Sequence, residues 1–442
     1  MWKRSIILHR NFAAAASTNP AVASLEQKVS KLGNGLTVAS IDARGPISHL
    51  VLTFRAGSRY EQPDEIGLVH RLRNSIGLDT EKYEGIRLIW QAGSLGGSLS
   101  ATASQDFLTL HLAAPREQAS VALSLLGELS QPAFKPWDLD DTNSSLKYDL
   151  AFAEPFDHLY DSIHRAAYRN GSLANALLSP PFRIGKVNYK TLNAFKNSHL
   201  VTGEAAIFAF NMDHDSAVSY AKDQPSIQEG KGKAPKPSPY IGGENRVQAS
   251  THLAHVAIVG EGGKLSDTKS AAVQAVLSAV IGQGPNSKFS TASGVGAVAQ
   301  AVQKAANHNP VGISALNILH SDSGLAGVYL VADGARIEPY VRAAVSALKQ
   351  LGSSGPSQED LEVAKKLSAA NVLYRAESAA EIAQDQAAQL LVNSNPVTPL
   401  DFVKLIEGVN GDDVKKAAAK LTSKLSLAAY GTIDQVPLVE QL

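Results

Sequence analysis

The sequence predicts an α+β fold built from two homologous halves in tandem. Strand and helix patterns recur with a shift of 205 positions, which pairs Gly57 with Gly262 and Gly77 with Gly282. Within each half, short β-patterned runs alternate with longer amphipathic helical runs. A segment rich in Pro, Gly and Lys, residues 223–245, separates the two. We therefore expect one domain at 26–222, a solvated interdomain linker at 223–245 and a second domain at 246–442.

The composition is that of an ordinary globular protein. A chain of 442 residues with 44% hydrophobic side chains can form two domains with large cores. The 41 basic and 41 acidic side chains leave no overall field to attract nucleic acid. The chain has no cysteine, which excludes disulfides, thiolate metal sites and iron–sulfur ligation. No apolar run reaches the roughly 18 residues that predict a membrane span.

Residues 1–25 have the composition of a mitochondrial transit peptide. They contain no acid before Glu26, and apolar side chains are interspersed among the basic ones, Lys3, Arg4, His9 and Arg10. The run from Arg10 to Ala13 resembles a matrix cleavage site. The alternative is a disordered tail.

The first half begins with a predicted hairpin. Val29 to Leu36 contains the turn signal Asn34-Gly35 and leads into a second strand that ends at Ile41. A third strand, His49 to Arg55, precedes a helix predicted between Gly67 and Gly77. Pro63, Asp64 and Glu65 suit the first turn of this helix, and Gly77 suits its C-cap. A buried stripe is formed by residues three and four apart, namely Ile66, Val69, Leu72 and Ile76.

The second half repeats this order. The helix Ser270 to Ile281 corresponds to the first-half helix and places Ala275 opposite His70 and Ala279 opposite Asn74. Further along, the strand Phe107 to Leu112 corresponds to Leu325 to Leu330. Paired helices follow these strands: Gln118 to Leu129 with Ile337 to Leu351, then helix starts at Pro136 and Ser357.

The first-half helix carries a polar group of residues that matches a metal motif only in part. His70 and Asn74 are four apart and share a face, with Arg73 beside them. An Asn amide is a poor zinc ligand. An Arg cannot take a proton from water, and its charge lies where a dication would bind. These residues predict an empty site, with no catalytic residue, no metal and no cofactor.

The run His70-Arg71-Leu72-Arg73-Asn74 resembles the inverted zinc motif His-x-x-Glu-His of the pitrilysin and mitochondrial processing peptidase family. In that family two His bind zinc and the Glu activates water. The resemblance also implies a third ligand from a later helix, which alignment on Ile163 to Tyr168 places near Lys147, with Asp149 and Glu154 as neighbouring acids. His70 with one carboxylate would supply two ligands, where zinc needs three or four.

Three further runs are most similar to the core subunits of respiratory complex III, ubiquinol-cytochrome c reductase, which belong to this family. They are 166–175, 182–187 and 321–329. The resemblance implies an α/β roll in each half and a non-catalytic structural role in assembly and stability of that complex. It implies partners (core protein 1, cytochrome b, cytochrome c1 and the iron–sulfur protein) and a peripheral place on the matrix side of the mitochondrial inner membrane.

Two other functions stay open at this point. A presequence-binding α-type subunit of a mitochondrial processing peptidase would share the fold, and its Gly-rich loop has only a shorter counterpart here, running to Gly294 and Gly296. A zinc peptidase with another ligand set would require metal at His70. Nucleotide binding at Gly282 to Ser287 is disfavoured because this run follows a helix and Pro285 lacks an amide donor.

Overall fold

The structure, a computed structural model, describes residues 26–223, 226–285, 295–393 and 396–442. The predicted transit peptide, residues 1–25, and most of the loop between Gly282 and Gly296 lie outside these residues. Within the described part of the chain, no helix has the length and apolar character needed to cross a membrane.

The first half contains six strands and seven helices among its described residues. The strands are β1 (Gln27–Lys31), β2 (Thr37–Ile41), β3 (Ile47–Phe54), β4 (Ser98–Ala103), β5 (Leu108–Pro115) and β6 (Ala205–Phe210). The helices are α1 (Leu68–Asn74), α2 (Gly85–Ser94), α3 (Ala119–Leu129), α4 (Pro136–Phe152), α5 (Pro155–Tyr168), α6 (Tyr189–His199) and α7 (His214–Asp223).

The second half contains five strands and seven helices among its described residues. The strands are β7 (Glu244–Gln248), β8 (Leu253–Glu261), β9 (Val311–Leu319), β10 (Gly324–Asp333) and β11 (Ser426–Gly431). The helices are α8 (Thr268–Ile281), α9 (Ala297–Ala306), α10 (Ile337–Ser354), α11 (Gln358–Arg375), α12 (Ala379–Val392), α13 (Pro399–Glu407) and α14 (Gly411–Ser423).

The two sheets share a five-stranded topology, to which the first sheet adds the edge strand β1, and this confirms the predicted repeat and the α+β fold class. The first sheet has the order β1-β2-β6-β3-β5-β4, and the second has the order β7-β11-β8-β10-β9. In each sheet one pair is parallel, β2 with β6 and β7 with β11, and the other pairs are antiparallel. The hairpin predicted at Asn34-Gly35 joins β1 to β2, and Gly35 has the positive φ of 90° that favours glycine there.

Each sheet buries one face under helices of its own half. Alternate residues of β3, including Leu50 and Leu52, pack beneath α1, α2 and α3. In the second half, Val256 and Ile258 of β8 pack beneath α8, α10 and α14. The period of two along each strand sends the other set of side chains to the opposite face.

The opposite faces are covered by an exchange of helices between the halves. On α5, Leu159, Ile163 and Ala167 pack against the second sheet, where they meet Ala257 and Val259. On α12, Ala383, Ala387 and Leu390 pack against the first sheet. Both contacts exclude water from apolar side chains on either side. Each half therefore supplies a helix that completes the hydrophobic core of the other half.

A cluster of charges, buried except for the exposed Asp322, joins the two halves. The Arg59 guanidinium, with no exposed side-chain surface, lies 2.6 Å from the Asp106 carboxylate and 2.9 Å from that of Asp322 on the β9–β10 turn. His320 Nδ1 lies 3.1 Å from the second oxygen of Asp106. We call Arg59, Asp106, His164, His320 and Asp322 the interdomain cluster. Removing one partner of a buried ion pair leaves the other charge without compensation.

Two details of the sequence interpretation are wrong. The helix predicted to run to Gly77 ends at Asn74, and it begins only at Leu68 because Gly67 has φ 89°, outside the helical region. Ile66 and Ile76 are consequently only half-buried. Asp64 and Glu65, which were predicted for the first turn, precede the helix. The side chain of Glu61 instead accepts hydrogen bonds from the backbone at its start.

The segment 223–245 was expected to be a solvated tether, yet its described residues form hydrogen bonds with the first half and, through the Tyr240 hydroxyl, with Lys424 and Ser426 of the second half. Backbone N–H groups of Thr202 and Gly203 donate to the carbonyls of Gln228 and Gly230. Ser238 is buried and its hydroxyl accepts from the Leu173 N–H. Lateral hydrogen bonds of this kind satisfy the backbone of a Pro-rich run without regular secondary structure, which composition alone does not predict.

We expect Arg59→Ala to lower the free energy of unfolding by about 3–5 kcal/mol, because Asp106 would remain buried without its arginine. Denaturant unfolding measures this loss. Arg342→Ala is the matched control: its ion pair with Glu338 is about half exposed and should cost under about 1 kcal/mol. Equal losses in the two variants would contradict the role of the interdomain cluster.

Candidate functional site

The face of α1 predicted to be a degenerate metal site is a partly exposed group of hydrogen-bonded side chains around the buried His70. His70 is 1% exposed, and its Nε2 lies 2.9 Å from Asp149 Oδ2. The same carboxylate oxygen accepts from Arg73 at 2.5 Å and from the Asn74 amide at 2.9 Å. Asn74 Oδ1 in turn accepts from Arg73 Nε at 3.0 Å. We call these four residues, His70, Arg73, Asn74 and Asp149, the α1–α4 polar site.

Of the three residues near the third-ligand position that the resemblance implied, one contacts the motif. Lys147 is exposed on α4. Asp149, one of the two neighbouring acids, faces α1 and contacts His70, Arg73 and Asn74. Glu154 caps the start of α5 instead.

The hydrogen bonds of His70 fix which ring nitrogen carries hydrogen. The Ser179 backbone N–H donates to Nδ1 at 3.0 Å, so Nδ1 presents its lone pair. Nε2 then carries the hydrogen and donates to Asp149. Burial lowers the pKa of His70, more than the hydrogen bond to Asp149 raises it, and keeps the ring neutral. The nitrogen that faces Asp149 therefore has no lone pair for a metal.

The polarity of this site is the reverse of that of a metal site. A zinc site is a set of lone pairs directed at a cation. Here three donors, His70, Arg73 and Asn74, are directed at one anion, Asp149. Although burial opposes it, the hydrogen bonds from Asn74 and His70 and the charge of Arg73 lower the pKa of Asp149 and keep it ionised. Among the described residues, no three His, Asp or Glu side chains converge to hold a metal ion.

Two buried ionisable side chains that the sequence interpretation missed hold α1 in place. Arg71 is 1% exposed and donates to the Leu139 carbonyl at 2.8 Å and to Thr142 Oγ1 at 3.2 Å, which fixes α1 against α4. Glu61 accepts from the backbone N–H groups of Gly67 and Val69, at 3.0 and 2.6 Å, at the start of α1. Burial raises the pKa of Glu61 to about 8, against the effect of these two bonds. Neither residue follows a sequence pattern that signals burial.

The equivalent positions on the second-half helix carry small apolar side chains. Ala275 and Ala279 of α8 stand where His70 and Asn74 stand on α1. They line a cavity of about 400 Å³ between α8, α11 and α12. The cavity is open at this point because alanine side chains at positions 275 and 279 fill less space than the His and Asn at the equivalent positions of α1.

The family model described as Insulinase (Peptidase family M16) matches residues 37–181, and a second, described as Peptidase M16 inactive domain, matches 186–368. The chain is also 31% identical to human mitochondrial cytochrome b-c1 complex subunit 2 over 434 residues, 97% of this chain and 94% of that protein. This chain belongs to the M16 peptidase family. The family resemblance expected from the sequence is thereby confirmed, together with the tandem peptidase-like fold.

Other relatives agree. Subunit 2 of the rat cytochrome b-c1 complex is 30% identical over 94% of this chain and 92% of that protein. A mitochondrial-processing peptidase subunit alpha-2 of Dictyostelium discoideum is 26% identical over 93% of both. A chain in the solved structure titled Complex III2 from Candida albicans, Inz-5 bound, has a TM-score of 0.80, 19% identity and coverage of 94% of this chain and 98% of that one, which shows the fold alone. The mitochondrial relatives confirm the mitochondrial part of the predicted location.

We expect the double substitution Arg73→Glu with Asn74→His to create a zinc site. It removes the fixed charge and adds a second imidazole at position 74, so that this ring, His70 and Asp149 supply three ligands from positions already in contact. His70 frees its Nε2 by moving the hydrogen to Nδ1, which loses the hydrogen bond from Ser179, about 1–3 kcal/mol, against roughly 10 kcal/mol or more for zinc binding. Elemental analysis after dialysis should find about one zinc per chain in the variant and none above background in the wild type. Adding Asp149→Ala to the double variant is the control and should abolish binding. Zinc retained after that change, or none in the double variant, would contradict the geometry described here.

We expect Asp149→Ala to lower the free energy of unfolding by about 1–3 kcal/mol, since three donors lose one acceptor. The folded state holds the pKa of Asp149 below its ordinary value of about 3.9, so this stabilisation is present above that pH and is lost as the pH falls below it. Denaturant unfolding at neutral and acidic pH measures the effect. The exposed Asp141→Ala on the same helix should change stability by under about 0.5 kcal/mol. A loss that does not diminish in acid would contradict an ionised Asp149.

Proposed function

We propose that this chain is a non-catalytic core subunit of mitochondrial respiratory complex III, needed for assembly and stability of the complex that passes electrons from ubiquinol to cytochrome c. The observation that carries the proposal is the α1–α4 polar site. Its hydrogens converge on Asp149 where a peptidase would need lone pairs around zinc and a free carboxylate to activate water. The chain therefore contributes structure and contact surface, and the redox chemistry belongs to other chains.

The surface of the first half supports a place in a larger assembly. On α2, Ile86, Ile89 and Trp90 are exposed, the last by 72%. On α4, Tyr148 and Phe152 are exposed by 65% and 81%. Large apolar side chains grouped in this way are unusual on an isolated protein and typical of contact surfaces. Core protein 1, cytochrome b, cytochrome c1 and the iron–sulfur protein are the proposed partners.

We place the subunit at the mitochondrial inner membrane, peripheral and on the matrix side. Residues 1–25 would serve as the transit peptide. The proposed domains remain 26–222 and 246–442, joined by the segment 223–245. This segment holds the domains together through its hydrogen bonds.

The processing-peptidase α subunit is the weaker alternative. Identity to such a subunit is 26%, against 31% for cytochrome b-c1 complex subunit 2. Copurification separates the two functions. Cytochromes and core protein 1 accompany a complex III subunit, whereas a zinc-containing β subunit accompanies a processing-peptidase α subunit.

We expect mitochondria that lack this chain to lose assembled complex III on native gels and most ubiquinol-cytochrome c reductase activity. Re-expression of the wild type should restore both, because the missing contact surface returns. Native electrophoresis with mass spectrometry of the complex band, and spectroscopic assay of cytochrome c reduction, measure the result.

Asn74→Ala is the matched control for a catalytic role. It alters the motif face of α1 at a half-buried position and should restore assembly and electron transfer as well as the wild type does. Normal complex III in the absence of this chain would contradict the proposal. A complex that assembles with Asn74→Ala but has lost a peptidase activity would also contradict it.

A further inference from the structure

A continuous chain of hydrogen bonds crosses from α5 through the β9–β10 turn to the first sheet. His164 Nδ1 lies 2.7 Å from the Tyr160 carbonyl oxygen. His164 Nε2 lies 2.9 Å from His320 Nε2, and His320 Nδ1 lies 3.1 Å from Asp106 Oδ2. His164, His320 and Asp106 are each exposed by 3% or less. Water therefore has little access to any of these polar atoms.

The partners of this chain fix how many hydrogens the two imidazoles hold. A carbonyl oxygen only accepts, so His164 Nδ1 carries a hydrogen. Asp106 accepts from the Ser321 hydroxyl at 2.7 Å and from the Ser321 backbone N–H at 3.2 Å, besides Arg59. These donors identify it as a carboxylate, so His320 Nδ1 also carries a hydrogen. The contact between the two Nε2 atoms needs one more hydrogen, because one of these nitrogens must donate to the other. The pair thus holds three hydrogens, one more than two neutral rings.

This third hydrogen balances the charges of the interdomain cluster. The pair and Arg59 supply two positive charges, and Asp106 and Asp322 supply two negative ones. Burial lowers the pKa of His164 to about 3, so the hydrogen between the rings belongs to His320. The hydrogen bond from His320 and the charge of Arg59 lower the pKa of Asp106 well below its usual range, although burial opposes them.

The groups that face the pair from the surrounding elements do not change charge near neutral pH. Burial raises the pKa of the tyrosines, and arginine keeps its charge throughout. These facing groups are Arg59, Tyr60, Asp106, Tyr160, Tyr168 and Asp322. Histidine, the residue type of the pair itself, is the one that ordinarily gains or loses charge in the physiological range.

We propose that the His164–His320 pair is a pH switch that holds the two halves of the protein together while it retains its third hydrogen. Loss of that hydrogen leaves two nitrogen lone pairs facing each other at 2.9 Å and a net negative charge in a buried cluster. Both effects separate α5 from the β9–β10 turn. The contact between the two Nε2 atoms requires this hydrogen, so the stabilisation that the contact provides is lost as the pH rises and the hydrogen leaves.

Amide hydrogen exchange by mass spectrometry of the full chain, from about pH 6 to pH 9, tests the switch. After correction for the intrinsic effect of pH on exchange, protection of α5 and of the β9–β10 turn should fall in the wild type. In the pH range where the folded pair holds this proton and the opened pair has released it, the opening equilibrium should increase about tenfold per pH unit, because opening releases one proton. His320→Gln cannot bind the proton, so its protection should not vary with pH over this range.

His255→Gln is the matched control. His255 is also buried beneath α5 and bonds the Tyr329 hydroxyl at 2.7 Å, outside the interdomain cluster. This variant should keep the wild-type pH dependence. If His320→Gln does not fold, nitrogen NMR of histidine-labelled wild type counts protonated ring nitrogens, and three of the four in the pair should carry hydrogen below the midpoint. The proposal would be overturned if protection in the wild type did not vary with pH, or if the pH dependence persisted in His320→Gln. It would also be overturned if only two ring nitrogens of the pair were protonated.

Discussion

The carboxylate of Asp149 is the group on which the interpretation of this protein depends. It ties α1 to α4 by accepting three hydrogen bonds from residues of the degenerate motif. Charge-assisted hydrogen bonds to one partly buried anion give this site a stable structure of its own. The degenerate motif is thus a polar contact with its own partners rather than a damaged active site. This explains how the helix retains its place in the fold without a metal.

The second determinant of the architecture is the exchange of α5 and α12 between the halves. Each sheet depends on the other half for one of its two covered faces, and the interdomain cluster lies where α5 and the β9–β10 turn meet. A scaffold protein of this design presents a fixed outer surface, because neither half can rotate without exposing apolar strand residues to water. Its rigidity is therefore a property of both halves together.

Much of this fold follows from periodicity and repetition in the sequence. The match of His49 to Arg55 with the strand 205 positions later predicted two equivalent sheets, and Pro136 and Ser357 marked two equivalent helix starts. His70, Arg73 and Asn74 were placed on one face because a helix of 3.6 residues per turn requires it. The structure adds the direction of each hydrogen bond, and that direction depends on Ser179 and Asp149, which are far from the motif in sequence.

Other features had no signal of this kind. Arg71 and Glu61 resemble ordinary surface charges, yet tertiary contacts bury both. His320 and Asp106 are 214 positions apart, so their contact depends on how the halves pack. The segment 223–245 was predicted to be a solvated tether from its composition. Composition gives the apolar content of a segment but does not reveal its backbone hydrogen bonds to neighbouring loops.

Nitrogen NMR of histidine-labelled protein, with His70 assigned by comparison with His70→Gln, tests the central claim most directly. The account predicts a hydrogen on Nε2 and a lone pair on Nδ1 at neutral pH, with neither signal altered by added zinc. A bare Nε2 whose resonance shifts when one equivalent of zinc is added would contradict it.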